Sequence, residues 1–137
     1  MAISRFLLAS WLATVAVAVG AAGPAHAESD SHTVVYTVTS DTPTRADIYF
    51  RESDPPNWAE YSHNPYQFSP RAQVEVGPGQ PWVRQVTLRD PARWAMVTAT
   101  SGQAAVEPKF HCTLEVDGQA IASDSGPKGA LCSIRHW

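Results

Sequence analysis

Two cysteines are the side chains of this sequence with the most definite chemistry. Cys112 and Cys132 are its only thiols. In an oxidising compartment, an isolated pair of cysteines most often forms a disulfide. The alternative is a metal site, but structural zinc normally takes four ligands, often with closely spaced cysteine pairs that this sequence lacks. The sequence therefore predicts a Cys112–Cys132 disulfide, with metal binding as the lesser alternative.

Four histidines, beyond the one near the N-terminus, are the other residues that could bind a metal: His32, His63, His111 and His136. Two ligands on one face of a strand or a helix would lie two or four positions apart. No two of these histidines have that spacing. Because Cys112 is expected to point inward, its neighbour His111 should point outward. We therefore predict isolated surface histidines, no metal and no cofactor.

Catalytic residues are not indicated by any motif. Nucleophilic catalysis needs a serine or cysteine beside an oriented base, and the sequence has no G-x-S-x-G turn, phosphate-binding loop or dinucleotide fingerprint. Asp47 and Glu115 fall on predicted outward faces of strands. We therefore expect a protein that is not an enzyme, with a secreted hydrolase or an enzyme inhibitor as a weaker alternative.

Residues 53–71 interrupt the otherwise regular pattern and are predicted to form a long loop. This segment contains four aromatic residues, which are Trp58, Tyr61, Tyr66 and Phe68. Tryptophan and tyrosine provide large contact areas at low ordering cost, which suits a recognition surface for a protein, glycan or lipid. The other interpretation, which we favour, is a loop packed on its own sheet with these aromatics as a small satellite core.

Trp82 and Trp94 lie in the strand-rich part of the chain. An indole fills space between two sheets and buries a large area, so we predict that both are core residues. The functional alternative is a platform on which a sugar ring stacks.

Alternation of apolar and polar residues dominates the sequence after residue 32, as in Val34, Tyr36 and Val38. Alternation is typical of half-buried strands, and 11 prolines disfavour long helices. Turn signals recur at short intervals between the strands. The pattern predicts an all-β, immunoglobulin-like β-sandwich of about seven short strands, in one domain at residues 28–137.

Individual strands and turns can be placed from the same pattern. Alternate positions from Ala46 to Phe50 are predicted to face inward, so that Arg51 faces outward. The segment from Trp94 to Thr100 is mostly apolar on both faces and is predicted to be a central strand. Asp117-Gly118 indicates a two-residue hairpin turn.

The predicted disulfide restricts how the last strands can be arranged. In a plain meander, strands at residues 109–116 and 130–136 would lie two strand spacings apart, about 9.5 Å. A disulfide requires Cα atoms roughly 4.4 to 6.8 Å apart. The last strand should therefore lie beside the strand at residues 109–116 or face it across the core. The hairpin return at residues 119–123 would then be a short edge piece.

The N-terminal segment, residues 1–27, has the order of a secretory signal. Arg5 precedes a nearly unbroken apolar run from Phe6 to Ala22, and small residues stand at the positions that a signal peptidase reads. We predict cleavage between Ala27 and Glu28. The alternative is an uncleaved membrane anchor, because the run is just long enough to span a bilayer.

The charge balance excludes some partners. The chain carries 10 lysines and arginines against 13 acidic residues, a net charge of −3, and has no basic run. Nucleic acid and anionic lipid surfaces are recognised by clustered positive charge. We therefore expect no nucleic-acid partner.

Several short motifs, in order, resemble one known domain. The motifs are Val35-Tyr36-Thr37-Val38, Ala46-Asp47-Ile48-Tyr49-Phe50, Pro81-Trp82, Cys112, Val116-Asp117-Gly118 and Cys132. Together they are similar to the C-terminal domain of the mycobacterial membrane protein small (MmpS) family, over about residues 33 to 134. The family resemblance implies a β-sandwich with cysteines at both of these positions and no catalytic residues. Two features differ from the family: a cleavable N-terminal segment and a longer, more aromatic segment at residues 53–71.

The resemblance also implies a function outside the inner membrane of an actinobacterium. We expect an exported, non-enzymatic envelope protein that assists RND-type (MmpL-like) transporters in exporting lipids or siderophores. It would bind the transporter or its lipid-like cargo as a monomer or weak oligomer, and would be membrane-anchored if the signal is not cleaved. The alternative is a free secreted module that captures a ligand or host protein through Trp58, Tyr61, Tyr66 and Phe68.

Overall fold

The computed structural model describes Gly20 and residues 31–136. Within them the chain forms eight strands: β1 (His32–Ser40), β2 (Thr44–Phe50), β3 (Arg71–Val76), β4 (Trp82–Leu88), β5 (Met96–Thr100), β6 (Phe110–Val116), β7 (Gln119–Gly126) and β8 (Gly129–Ser133). It also forms three short helices: α1 (Trp58–His63), α2 (Pro65–Phe68) and α3 (Pro91–Trp94). Apart from Gly20, the predicted signal segment and its cleavage site at Ala27 and Glu28 lie outside the described residues. No helix in the described part is long and apolar enough to cross a membrane.

The strands form two antiparallel sheets of four. The first sheet has the order β4-β1-β6-β7, and the second has the order β3-β2-β5-β8. In β1, Val34, Tyr36 and Val38 are buried while the residues between them are not, as the alternation predicts. The two sheets pack their apolar faces against each other, so the predicted β-sandwich is confirmed, with eight strands rather than about seven.

The apolar core lies between the sheets. Its fully buried members come from both sheets and include Val34, Tyr36, Val38, Leu88, Phe110 and Leu114 from the first, and Ala46, Ile48 and Val97 from the second. Each of these residues occupies an inward position of its strand. The burial of alternating positions is therefore the main source of stability of the sandwich.

The disulfide connects the two sheets. Cys112 of β6 and Cys132 of β8 are bonded, with their Cα atoms 6.1 Å apart. Because β6 belongs to the first sheet and β8 to the second, the bond crosses the core. This confirms the pairing and selects the arrangement in which the last strand faces residues 109–116. The hairpin return is an edge strand as predicted, although β7 extends to Gly126 rather than ending near residue 123.

Three local predictions need correction. Residues 53–71 are not a plain loop, because they contain α1 and α2 and the start of β3. The central strand β5 begins at Met96, and Trp94 ends α3. Arg51 does not face outward but is completely buried. Its strand ends at Phe50, so the alternation that placed Arg51 outward no longer applies where the chain leaves the sheet.

The Asp117-Gly118 hairpin turn is confirmed. Both residues have positive φ values, 50° for Asp117 and 83° for Gly118, which is the conformation that a tight turn between twisted strands requires. The Asp117 carboxylate accepts hydrogen bonds from the Thr33 backbone amide at 3.0 Å and from the His32 ring at 2.6 Å. The turn is thus tied to the start of β1.

Candidate functional site: an arginine–aromatic cluster

Arg51 is the most unusual buried residue of the described chain. Its backbone amide still donates to the Met96 carbonyl at 2.9 Å, but its side chain turns inward and is 0% exposed. Its Nε donates to the Trp94 carbonyl at 3.1 Å, and Nη1 donates to the Ser69 hydroxyl at 2.6 Å. Nη2 is buried and finds no acceptor among the described residues. The hydrogen bonds of this guanidinium cation to described residues thus go to neutral groups.

Aromatic rings surround this cation. The guanidinium carbon of Arg51 lies 4.3 Å from the centre of the Tyr61 ring and 5.6 Å from that of Trp94. Trp58 in turn lies 4.9 Å from Trp94 and 5.5 Å from Tyr61, measured between ring centres. A cation over the face of an aromatic ring is attracted by the electrons of the ring. The rings therefore compensate part of the desolvation of Arg51.

Two short helices position these rings. Asn57 begins α1, and its side chain accepts a hydrogen bond from the Glu60 amide at 2.9 Å. Trp58 and Tyr61 are three residues apart in α1, a spacing that places them on the same side of a helix. Asp90 begins α3, and its carboxylate accepts from the amide of Arg93 at 3.3 Å. Local capping therefore fixes where both helices begin and where their aromatic residues lie.

Two further arginines flank the outer rings. The Arg135 guanidinium lies 4.2 Å from the centre of the Trp58 ring. The Arg93 guanidinium lies 5.8 Å from Trp58 and 5.1 Å from Trp94. Both arginines are exposed, and Trp58 is partly exposed between them. We call the complete set the arginine–aromatic cluster; its members are Arg51, Trp58, Tyr61, Arg93, Trp94 and Arg135.

The side chains of the cluster include three arginines and no carboxylate. No ion pair between described residues involves Arg51 or Arg93. The nearby hydroxyl of Tyr36 donates to the backbone carbonyl of Arg51 at 2.9 Å. Burial raises the pKa of Tyr36 far above its usual range, so this phenol stays neutral and cannot balance the charge. The cluster can therefore bind an anionic group beside an aromatic or other flat group.

The four predicted loop residues have three different environments. Trp58 and Tyr61 belong to the cluster. Phe68 is buried, which agrees with the satellite-core interpretation of this segment. Tyr66 is 69% exposed, and its ring lies 5.7 Å from the Tyr49 ring of β2, measured between ring centres. Neither interpretation therefore holds for the whole segment.

Sequence reasoning missed the arginines of the cluster. Arg51 was assigned to an outward face, and Arg93 and Arg135 carry no motif. The one available signal was Trp94, which was predicted as a core residue and is buried. Trp82 is partly buried and packs against Phe50 at 5.2 Å between ring centres, consistent with its predicted place at the core.

Two of the four histidines pair with a carboxylate. The rings of His32 and His111 each lie within hydrogen-bond distance of a carboxylate, Asp117 at 2.6 Å and Asp41 at 2.8 Å. The sequence could not show these pairs, because each joins residues distant in the chain. Among the described residues, no group of three or more histidines, cysteines and carboxylates is arranged to hold a metal.

The fold and the disulfide define the class of protein, a two-sheet β-sandwich closed by one bond across its core. Residues 36–132 match the Rv2576c beta-sandwich domain, and the chain belongs to that family. Among its relatives are the uncharacterized proteins Rv2576c of Mycobacterium tuberculosis and Mb2606c of Mycobacterium bovis. Each is 40% identical over 116 residues, which cover 83% of this chain and 75% of the relative. The resemblance to MmpS stays a prediction.

Proposed function

We propose that this protein is an exported, non-enzymatic binding module, and that the arginine–aromatic cluster captures an anionic ligand that also carries a ring. The observation that carries this proposal is the buried guanidinium of Arg51, which forms no ion pair between described residues and whose Nη2 has no acceptor among them. Buried charges are normally paired, because removing an ion from water costs several kcal/mol. A buried Nη2 donor without an acceptor needs a further explanation. A ligand anion that accepts a hydrogen bond from Nη2 would be the missing acceptor.

Access to Arg51 is controlled by α1. This helix has no buried residue, so its position depends on partly exposed contacts such as those of Trp58 and Tyr61. The Tyr61 ring lies directly over the guanidinium. A small displacement of Tyr61 would open Arg51 to a ligand, whose ring would take the place of the Tyr61 ring beside Trp58. Arg93, at the outer side of Trp58, would hold the remaining negative charge of the ligand.

Export rests on a separate argument. Disulfides form and persist mainly in oxidising compartments, and the bond between Cys112 and Cys132 crosses the core rather than lying at an exposed site. The apolar N-terminal run with its predicted cleavage after Ala27 agrees with export. These two features together support export to the envelope or the medium.

The test is binding of phenyl phosphate, which joins an anion to a ring, compared with phenol and inorganic phosphate by titration calorimetry. We expect phenyl phosphate to bind more tightly than either part. Arg51→Met should weaken binding about tenfold or more, because a charge-assisted hydrogen bond is lost, while the melting temperature stays equal or rises. Trp58→Ala should also weaken binding.

Two matched controls lie outside the cluster. Arg84 stacks on Phe50 at 5.1 Å in the same manner as the cluster arginines, so Arg84→Met should leave binding unchanged. Tyr66 is an exposed aromatic of the same segment as Trp58, so Tyr66→Ala should do the same. Absence of phenyl phosphate binding, or equal losses in the controls, would reject the proposal.

A second candidate function is the accessory role beside an RND-type transporter. The observation in its favour is that two of the motifs that resemble MmpS form the disulfide and a tight turn of the fold. These are the Cys112–Cys132 bond and the Asp117-Gly118 turn. The same observation shows that these motifs have structural tasks, so it bears less directly on function than the cluster does. Cross-linking in mycobacterial cells, followed by purification of this protein, should recover a large RND-type protein. Recovery of this protein alone would count against the role.

A further inference from the structure

Four strands end the two sheets, and each has one side without a partner strand in the described chain. β4 and β7 are the outer strands of the first sheet, and β3 and β8 are those of the second. In an antiparallel pair, every second residue directs its N–H and C=O groups away from the partner strand. An outer strand therefore offers backbone donors and acceptors with which a further strand can pair.

Three of these edges carry a feature that opposes the addition of a strand. β7 has a register irregularity where it faces Leu114 and Glu115. On β8, the Leu131 amide already donates to the Asp124 carboxylate at 3.0 Å. β4 carries Arg84 and no acidic residue, so a second copy paired with it would bring positive charges together. None of these features is found in β3.

The outward face of β3 is self-complementary in charge. Arg71, Gln73 and Glu75 occupy alternate positions of this strand and are exposed. Arg71 and Glu75 lie two positions from Gln73, one on each side, and have opposite charges. When two copies of β3 pair antiparallel about a two-fold axis at Gln73, the Arg71 of each copy faces the Glu75 of the other. Opposite charges at facing positions stabilise a strand pair.

The charged groups needed for this pairing are available. The Arg71 guanidinium donates from Nη2 to the Asp47 carboxylate at 2.9 Å, which restrains the side chain and leaves its other donors for a second acceptor. Glu75 lies opposite Arg45 of β2 but forms no ion pair with any described residue. The Arg71 of a second copy would therefore meet an unpaired carboxylate.

The inward face of β3 gives a reason that does not depend on charge. Ala72 and Val74 pack against the apolar core, yet they are only partly buried. In the same two-fold register, the Ala72 of one copy faces the Val74 of the other. Pairing would therefore cover these side chains and make the apolar layers of two sandwiches continuous, which is favourable.

We propose that β3 pairs antiparallel with the β3 of a second copy of this chain, about a two-fold axis at Gln73, and so joins two four-stranded sheets into one. β3 has 6 residues, far fewer than the roughly 20 to 30 per side of a standard interface. The dimer is therefore weak, and it depends on protein and salt concentration. No member of the arginine–aromatic cluster lies in β3, so this dimer does not depend on the proposed function.

Sedimentation velocity over a range of protein concentrations measures the association. The unchanged protein should form dimers that dissociate on dilution and at high salt. Arg71→Glu and Glu75→Arg should each weaken the dimer about tenfold or more, because the two-fold axis makes each substitution replace two attractive pairs by two repulsive ones. An equimolar mixture of the two variants should recover the dimer, since two acidic positions then face two basic ones. Chains that had lost their fold would not regain it on mixing.

Cross-linking through introduced cysteines tests the register. Gln73→Cys places the two thiols at the two-fold axis, so mild oxidation should link two chains. In Glu75→Cys the two thiols would lie four residues apart along the paired strands, roughly 13 Å, which is too far for a disulfide. Equally fast linkage at both positions would contradict the proposed pairing.

The matched control is Arg84→Glu. Arg84 is exposed on β4, the outer strand of the first sheet, and the substitution reverses the same charge as Arg71→Glu does. This variant should associate like the unchanged protein. A protein that is monomeric at every concentration, an equal loss in Arg84→Glu, or no recovery in the mixture would overturn the proposal. So would a monomer whose β3 edge pairs only with an extended peptide of another sequence.

Discussion

Two buried regions of this protein follow different physical rules. The core between the sheets is built from alternating apolar side chains such as Ile48 and Leu114 and is closed by the Cys112–Cys132 bond. The corner beneath α1 is built around a buried cation, Arg51, and is covered by aromatic rings. The first region gains stability from every group it buries. The second holds a charge whose desolvation opposes folding, and this is why we propose it as a binding site.

The largest expected effect concerns the disulfide of the core. Replacing both Cys112 and Cys132 by alanine should lower the free energy of unfolding by about 3 kcal/mol, because the loop that the bond closes gains entropy in the unfolded chain. Urea denaturation with and without a reductant measures this. An unchanged midpoint on reduction would show that the core alone determines the stability of the sandwich.

Arg51 provides the sharpest contrast between the two regions. Arg51→Ala and Arg51→Met both remove the desolvated charge and the donors to the Trp94 carbonyl and the Ser69 hydroxyl. Arg51→Ala also leaves a cavity and should cost about 2 kcal/mol. Arg51→Met fills most of the space, so the removal of the charge should offset the lost hydrogen bonds and leave the protein as stable as before, or more stable. Thermal unfolding of both variants tests this. If Arg51→Met is as unstable as Arg51→Ala, the buried charge is itself stabilising.

A smaller effect is expected at the surface of the corner. Trp58→Ala should cost about 1 kcal/mol, since Trp58 contacts Trp94 and lies under the Arg135 guanidinium. Tyr66→Ala, in the same segment but largely exposed, should cost less than about 0.5 kcal/mol. Equal losses of stability in Trp58→Ala and Tyr66→Ala would show that the two residues contribute alike, although only Trp58 belongs to the cluster.

The smallest effect is a dependence of the folding stability on pH, which arises at Asp117 in the exposed hairpin turn. The hydrogen bonds from His32 and the Thr33 amide hold the pKa of Asp117 below its usual range. A carboxylate with a depressed pKa in the folded state contributes stability above its unfolded pKa, and this contribution is lost as the pH falls below about 4. NMR titration should show a low pKa for Asp117 that rises in His32→Gln. An identical pKa in that variant would assign the shift to Thr33 alone.

The sandwich could be read from the sequence because its signals are local. Within a few residues, the sequence pattern predicts the conformation of three elements. They are the alternating strand β1, the Asp117-Gly118 turn and the apolar segment that becomes β5. The residues at which strands and helices begin and end were less predictable. Trp94 belongs to α3 rather than to a strand because Asp90 and Pro91 begin a helical turn there, and the short helices at residues 58–68 have too few residues to show a helical period.

The sequence by itself determined the alternating strands, the hairpin turn and the presence of one pair of cysteines. Tertiary structure alone decided that the disulfide crosses the core, that Arg51 turns inward after its strand ends, and that Arg51, Trp58, Arg93 and Arg135 meet at one corner. It also decided that β3 lies at the edge of the second sheet, with no further strand of the described chain beside it. The physical reason is that strand period and turn geometry act between neighbouring residues, whereas burial of a charge and the place of a strand in its sheet depend on segments distant in the chain.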